Sequence, residues 1–220
     1  MNFDLVLFDL DGTLIDSAPG VFDGIEYALA QYDIHPKRET LFRYMGPPIW
    51  ETFGDFLPAE QVDEAVAHYR GYYSQTGIAN CTLYTGVVQM LQSLKQNGFK
   101  LALATSKPQV FAQQIMQKFQ LADLFDYIGG ASLDGVVGTK TEVIQDVLAQ
   151  KAFAGCTPVM VGDRYHDLEG AKDCDIPAAA VLYGYGAREE LAAYHPVCIA
   201  DTAQAMCDWL LAHQKTEIHI

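Results

Sequence analysis

The sequence has few basic residues: 14 lysines and arginines stand against 28 aspartates and glutamates, which gives a formal net charge of −14. A chain with this charge repels phosphate backbones and anionic lipid, so neither a nucleic acid polymer nor a membrane surface is an expected partner. The sequence also lacks an apolar run of membrane-spanning length, and its first residues lack the basic stretch of a secretory signal. We therefore expect a cytoplasmic protein.

Cysteines are scarce and scattered, and none of them forms a CxxC pair. The five stand at positions 81, 156, 174, 198 and 207. An odd number without metal-ligand spacing argues against a disulfide framework or a zinc site and predicts free, buried thiols. The 220 residues are 50% hydrophobic, enough for one full core plus a small accessory domain. We expect a monomer or a weak dimer.

Short apolar runs alternate with helical patterns over most of the chain. The runs lie at residues 5–10, 99–105, 158–162 and 178–182, and helical patterns occupy 87–96, 109–119, 141–150 and 167–173. This alternation predicts an α/β fold with a doubly wound, Rossmann-like parallel sheet. Residues 16–81 break the rhythm, because they contain helical patterns but no clear strand. We predict a catalytic core of residues 1–15 and 82–220 and an inserted helical domain of residues 16–81.

The clearest chemical signal is DLDGTL, residues 9–14, at the end of the first predicted strand. Asp9 and Asp11 are two positions apart on extended backbone, so their side chains point to the same side. Gly12 permits a tight turn at this point. Asp-Gly turns are common, so this segment alone is weak evidence for a functional site. Acidic and phosphate-binding segments elsewhere in the chain strengthen it.

One such partner is GDRYHD, residues 162–167, which follows another apolar run. Asp163 and Asp167 could simply close a turn and cap a helix. Together with Asp9 and Asp11, however, they place up to four carboxylates at one sheet edge, which requires a cation. Hard oxygen ligands and a phosphate-bearing substrate favour Mg²⁺ over zinc.

Two weaker signals concern phosphate binding. Thr105 and Ser106 end the second predicted strand, where a hydroxyl and a backbone amide could hold a phosphate oxygen, although an ordinary helix N-cap is the alternative. Lys140 stands at a predicted helix start, where the helix dipole disfavours a cation. Its position suggests a nearby anion, although a solvated lysine is the alternative.

These four segments, in this order, resemble the haloacid dehalogenase-like hydrolase superfamily over essentially the whole chain. Asp9 and Asp11 match the first motif, Thr105 the second, Lys140 the third, and Asp163 with Asp167 the fourth. The inserted helices look like the helical cap of that family. The segments that most resemble its phosphoglycolate phosphatase-like branch are RYMGPP (43–48), SLDG (132–135) and VLYGYG (181–186).

The resemblance implies an Mg²⁺-dependent phosphatase for a small phosphorylated metabolite. Asp9 would accept the phosphoryl group as an aspartyl phosphate, and Asp11 would serve as acid and then as base. The implied Mg²⁺ ligands are the Asp9 carboxylate, the Asp11 carbonyl, Asp163 and Asp167. The implied phosphate-binding residues are Gly12, Thr105, Ser106 and Lys140.

Substrate identity is left open by the sequence, with phosphoglycolate, a 5′-nucleotide and a sugar phosphate as candidates. In the cap, Arg43 could clamp an anion while Gly46 and Pro47 approach the site as a stiff loop. Two alternatives to a phosphatase are a sugar-phosphate mutase, which would return the phosphate to its product, and a non-enzymatic partner-binding protein.

Overall fold

Eight strands are present in the structure, a computed structural model in which residues 1–215 are described. They are β1 (Leu5–Phe8), β2 (Ile15–Asp16), β3 (Thr82–Leu83), β4 (Lys100–Pro108), β5 (Tyr127–Ala131), β6 (Pro158–Gly162), β7 (Ala178–Val181) and β8 (Cys198–Ala200). Six of them form one parallel sheet in the order β5-β4-β1-β6-β7-β8, which confirms the predicted fold class.

The sheet is covered by helices on both faces. The helices are α1 (Ala18–Ala30), α2 (Ile49–Gly54), α3 (Ala59–Gln75), α4 (Val87–Gln96), α5 (Gln109–Lys118), α6 (Lys140–Leu148), α7 (Tyr165–Asp173), α8 (Arg188–Ala192) and α9 (Ala203–Ala212). Short 3₁₀ helices occupy Arg38–Tyr44, Gly77–Ala79, Ala122–Leu124 and Lys151–Phe153. No helix within residues 1–215 combines the length and apolarity needed to cross a bilayer.

Strand β1 lies at the centre of the sheet and is buried on both faces. Val6 and Phe8 pack with α4, α5 and α9, whereas Leu5 and Leu7 pack with α6 and α7. This alternation follows from the two-residue period of a strand. It explains why the strand has an uninterrupted apolar sequence, since both of its faces are covered.

The helices between β1 and β3 have an apolar cluster of their own. Ile25 and Leu29 of α1, Phe53 of α2 and Tyr69 of α3 are among its buried members, and α5 of the α/β part contributes Phe111. The two connections to the rest of the chain pair with each other as the short antiparallel strands β2 and β3. We retain the name cap for residues 16–81.

The topology places the functional edge beside β1. After β1 the sheet extends to β4 on one side and to β6 on the other, so the strand order reverses at this point. In open parallel sheets, ligands bind beyond the carboxyl ends of strands at such a reversal. Asp9 and Asp163 directly follow β1 and β6, and Thr105 lies in β4 where its regular pairing with β5 is interrupted.

Candidate active site

The carboxylates of Asp9 and Asp11 line one cavity, and each is held by a different lysine. Asp9 follows β1 directly, and its Oδ1 lies 2.7 Å from Lys140 Nζ. Asp11 Oδ2 lies 3.1 Å from Lys107 Nζ, and its other oxygen accepts a hydrogen bond from the Ser17 hydroxyl. The two acids therefore have separate environments although they are two residues apart.

Lys140 connects several parts of the site. Its Nζ also donates to the carbonyl of Ala104, 3.0 Å away, and lies 2.8 Å from Asp167 Oδ1. Burial opposes the charged form, but Asp167 and Asp9 raise the pKa of Lys140 above its ordinary value. The lysine is the first residue of α6, and the two carboxylates supply the anions that its position at a helix start suggests.

The acidic residues after β6 lie against those after β1. Carboxylate oxygens of Asp9, Asp163 and Asp167 lie within 4.8 Å of one another, and all three residues are buried. Burial and the neighbouring carboxylates of Asp167 and Asp9 raise the pKa of Asp163 well above its ordinary value. Burial likewise raises the pKa of Asp167 to about 6, although Lys140 opposes the shift.

The backbone and neighbouring side chains orient these acids. Asp167 Oδ2 accepts the backbone N–H groups of Asp163 at 3.2 Å and of Arg164 at 3.1 Å, as expected for an acid in the first turn of a helix. Asp163 accepts the backbone N–H of Tyr185 at 2.7 Å and the hydroxyl of Thr13 at 3.2 Å. The loop after β7 thus helps to fix Asp163.

Gly12 is required by the packing of this cluster. Its φ is +87°, and a Cβ there would lie 2.2 Å from Asp163 Oδ2. We expect Gly12→Ala to lower both the melting temperature and phosphatase activity, since it adds a collision with Asp163 to a backbone cost of about 1–2 kcal/mol.

Gly155→Ala is the matched control for this prediction, because Gly155 has a φ of +77° with nothing within 4 Å of its Cβ position. Thermal unfolding and phosphate release should be measured for both variants. If the two lose the same stability and both keep full activity, the close approach of Gly12 to Asp163 is unimportant.

Thr105 and Ser106 also line the cavity, and their binding of a phosphate oxygen stays a prediction. The alternative that they cap a helix is wrong, because extended backbone continues through Pro108 and α5 begins at Gln109, with Pro108 in the N-cap position. The Thr105 hydroxyl accepts the backbone N–H of Lys107 at 3.2 Å.

Lys107 is a site residue that the sequence analysis does not identify. It is buried between Asp11 and the cap, where its Nζ donates to the Tyr73 hydroxyl at 2.8 Å. Burial opposes its charge, but Asp11 raises the pKa of Lys107 well above its ordinary value. The sequence feature that could have identified Lys107 is its position directly after the two hydroxyl residues in TSKP.

The cap loop at Gly46 reaches the site, but Arg43 does not. Gly46 and Pro47 line the cavity, and the neighbouring Met45 carbonyl accepts a hydrogen bond from Arg164. The side chain of Arg43 is 67% exposed, lies 3.5 Å from Asp55 and is absent from the cavity lining. The prediction that Arg43 clamps the substrate is therefore corrected: its position in the 3₁₀ helix directs it to solvent.

The cysteines lie apart from this cavity. All five are free, with Cys81 and Cys207 buried and the others half-buried. Burial raises the pKa of the Cys81, Cys174, Cys198 and Cys207 thiols, which disfavours reactive thiolates.

A parallel α/β sheet with a buried acidic cluster and two lysines at its carboxyl edge defines an enzyme suited to phosphoryl chemistry. The family model described as haloacid dehalogenase-like hydrolase matches residues 6–181. The chain belongs to the haloacid dehalogenase-like hydrolases, and the expectation of a phosphatase is confirmed.

Individual relatives agree with this family. A 5′-nucleotidase of Pseudomonas aeruginosa is 34% identical over 97% of this chain and 98% of its own length. A solved structure from Clostridium acetobutylicum, described as a predicted phosphatase, has a TM-score of 0.90 and 36% identity, with 96% and 100% of the two chains covered. The tyrosine-protein kinase PtkA of Mycobacterium tuberculosis is 39% identical over 83% of this chain, which spans 63% of that protein.

Proposed function

We propose that this chain is an Mg²⁺-dependent phosphomonoester hydrolase that transfers the phosphoryl group of a small metabolite to Asp9 and then to water. One observation carries the proposal: carboxylate oxygens of the buried residues Asp9, Asp163 and Asp167 lie within 4.8 Å of one another, and Lys140 pairs with two of these residues. Phosphoryl transfer depends on positioning and charge neutralisation, which this group of residues can supply.

The acidic cluster fits a divalent cation. Of the three buried carboxylates, those of Asp9 and Asp167 share Lys140 and that of Asp163 has no lysine, so the acids outnumber the cations that pair with them. The raised pKa values of Asp163 and Asp167 show that burial without a further cation opposes their ionisation. Oxygen ligands of this kind suit Mg²⁺, which would neutralise charge on the phosphoryl oxygens. The residues proposed to hold it are Asp9, Asp163, Asp167 and the Asp11 carbonyl.

Asp9 is the proposed nucleophile because it lies at the end of the most buried strand and faces the cavity. Its carboxylate oxygen would form a bond to phosphorus as the bond to the leaving oxygen breaks. Lys140, Thr105, Ser106 and the backbone at Gly12 would bind the phosphoryl oxygens. This covalent step divides one difficult displacement into two easier ones.

Asp11 is the proposed acid and base. It would protonate the leaving alcohol and later accept a proton from the water that hydrolyses the aspartyl phosphate. Ser17 and Lys107 fix its two carboxylate oxygens. Because Lys107 also donates to Tyr73 of the cap, the position of Asp11 depends on a contact between the cap and the α/β part.

A panel of phosphorylated metabolites, assayed for released phosphate with Mg²⁺ present, tests this function. The expected result is phosphate release from small phosphomonoesters without any bisphosphate activator. Phosphate transfer between positions of a sugar that depends on glucose 1,6-bisphosphate would instead establish the mutase alternative. A chain that turns over no phosphomonoester would refute the proposal.

A further inference from the structure

Arg70 of the cap is set apart from the other cap cations by its surroundings. Arg38 pairs with Asp23 at 2.6 Å and Glu26 at 3.1 Å, and Arg43 lies near Asp55 at the surface. Lys37 is exposed. Arg70, in contrast, lines the same cavity as Asp9 and Asp11.

Arg70 is half-buried, and its guanidinium lacks a hydrogen-bond acceptor among residues 1–215. Its Nε and Nη2 atoms are buried and have no hydrogen-bond acceptor there. Burial lowers the pKa of Arg70, with only Tyr69 opposing the shift, but an arginine retains its charge in proteins. A buried, charged donor without an acceptor destabilises the folded protein, so its presence calls for a functional explanation.

The orientation of this guanidinium is restricted by Trp50. The Cζ atom of Arg70 lies 4.5 Å from the centroid of the Trp50 ring, in a cation–π contact between α3 and α2. The N–H bonds of Nε and Nη2 point in parallel along one edge of the guanidinium plane. Through this edge arginine can bind both oxygens of a carboxylate or phosphoryl group.

The cavity is small and has aromatic rings on its cap side. Its volume is about 100 Å³, and its cap wall includes the rings of Tyr44, Trp50, Tyr69 and Tyr73. Because one water occupies about 10–15 Å³ of such a cavity, the space holds several waters. This suits a short substrate tail. Lys140 and Lys107, the lysines that line the same cavity, already pair with Asp9 and Asp11.

We infer that Arg70 determines specificity by binding a second oxyanion, a carboxylate or a phosphoryl group, on the leaving group of a small phosphomonoester. The inference rests on the proposed function, since it assigns the substrate class of the same site. The phosphoryl end would lie at Asp9, and the second oxyanion would accept the parallel N–H groups of Arg70. A neutral tail would leave the guanidinium unpaired.

Three substrates with the same two-carbon skeleton test this assignment: ethyl phosphate, phosphoglycolate and 1,2-ethanediol bisphosphate. The wild type should prefer at least one of the two doubly anionic substrates over ethyl phosphate. Arg70→Gln should lower kcat/KM for that substrate on the order of 10- to 100-fold, with ethyl phosphate changed by no more than about threefold. Arg70→Lys, which keeps the charge without the parallel donors, should be intermediate. Whichever of the two substrates loses its advantage identifies the oxyanion as carboxylate or phosphoryl.

Arg43→Gln is the matched control, because Arg43 is a cap arginine outside the cavity, and it should change none of the three substrates. Thermal unfolding gives a second readout: Arg70→Gln should melt within about 5 °C of the wild type, since the loss of the contact with Trp50 is offset by the removal of two unpaired donors. An equal loss on all three substrates, a larger drop in melting temperature, or a wild type without preference would overturn the assignment alone. A wild type that hydrolyses neither these substrates nor p-nitrophenyl phosphate would overturn the proposed function as well.

Discussion

Asp9→Asn is expected to reduce phosphate release from p-nitrophenyl phosphate by at least about 10⁴-fold while the fold stays intact. The amide has the shape of the carboxylate, and its oxygen can still accept the hydrogen bond that Lys140 donates to Asp9. It is too weak a nucleophile to take up the phosphoryl group. Circular dichroism of the same sample establishes that the protein is folded.

Asp33→Asn provides the control for the chemical change itself. Asp33 is an exposed cap residue with a φ of 56°, a conformation that asparagine adopts readily. This variant should keep wild-type activity. An Asp9→Asn enzyme within tenfold of the wild type would be incompatible with an aspartyl-phosphate mechanism.

Metal dependence has the second largest expected effect. EDTA should remove at least about 99% of the activity, and added Mg²⁺ should restore it. Asp163→Asn should raise the Mg²⁺ concentration needed for half-maximal activity on the order of 100-fold, because it removes one charged ligand from the buried cluster. A titration of activity against free Mg²⁺ measures both.

Asparagine is preferred to alanine at residue 163, because its oxygen can still accept the backbone N–H of Tyr185 while its amide nitrogen donates to the Thr13 hydroxyl, which can accept as well as donate. The structural contacts are then retained while the charge is lost. Asp33→Asn should show the wild-type Mg²⁺ requirement. Full activity of the wild type in excess EDTA would contradict the metal assignment.

The central part of the fold follows from sequence patterns. Strands β1, β4, β6 and β7 have apolar runs because parallel strands are covered on both faces. The sequence analysis does not predict strand β5, since YIGGA contains two glycines that suggest a turn. The structure shows their cause: a Cβ at Gly129 would lie 2.6 Å from Val147, and one at Gly130 would lie 2.7 Å from the Lys107 carbonyl. Strand β8, with three residues at the sheet edge, has too little sequence to form a pattern.

Some residues of the candidate site can likewise be predicted from the sequence, and others cannot. The acids at strand ends could be predicted, because the carboxyl ends of parallel strands meet at one edge whatever the details of packing. The contacts of Lys107 and Arg70 depend on how the cap sits over that edge. Lys107 lies 96 positions from Asp11 and 34 from Tyr73, and no local pattern connects them. For the same reason the sequence analysis proposes Arg43 as the anion clamp and does not identify Arg70.

The central claim is that Asp9 carries the phosphoryl group during turnover. The most direct measurement uses Asp11→Asn incubated with p-nitrophenyl phosphate and Mg²⁺, quenched in acid and examined by mass spectrometry. Because p-nitrophenolate leaves without protonation, Asp9 should still be phosphorylated, but hydrolysis should be slow without the base at residue 11. The account predicts one phosphoryl group per chain, on the peptide that contains Asp9, and none when Asp9→Asn is added. A variant that releases p-nitrophenolate with no phosphoryl group on Asp9 at any time would contradict it.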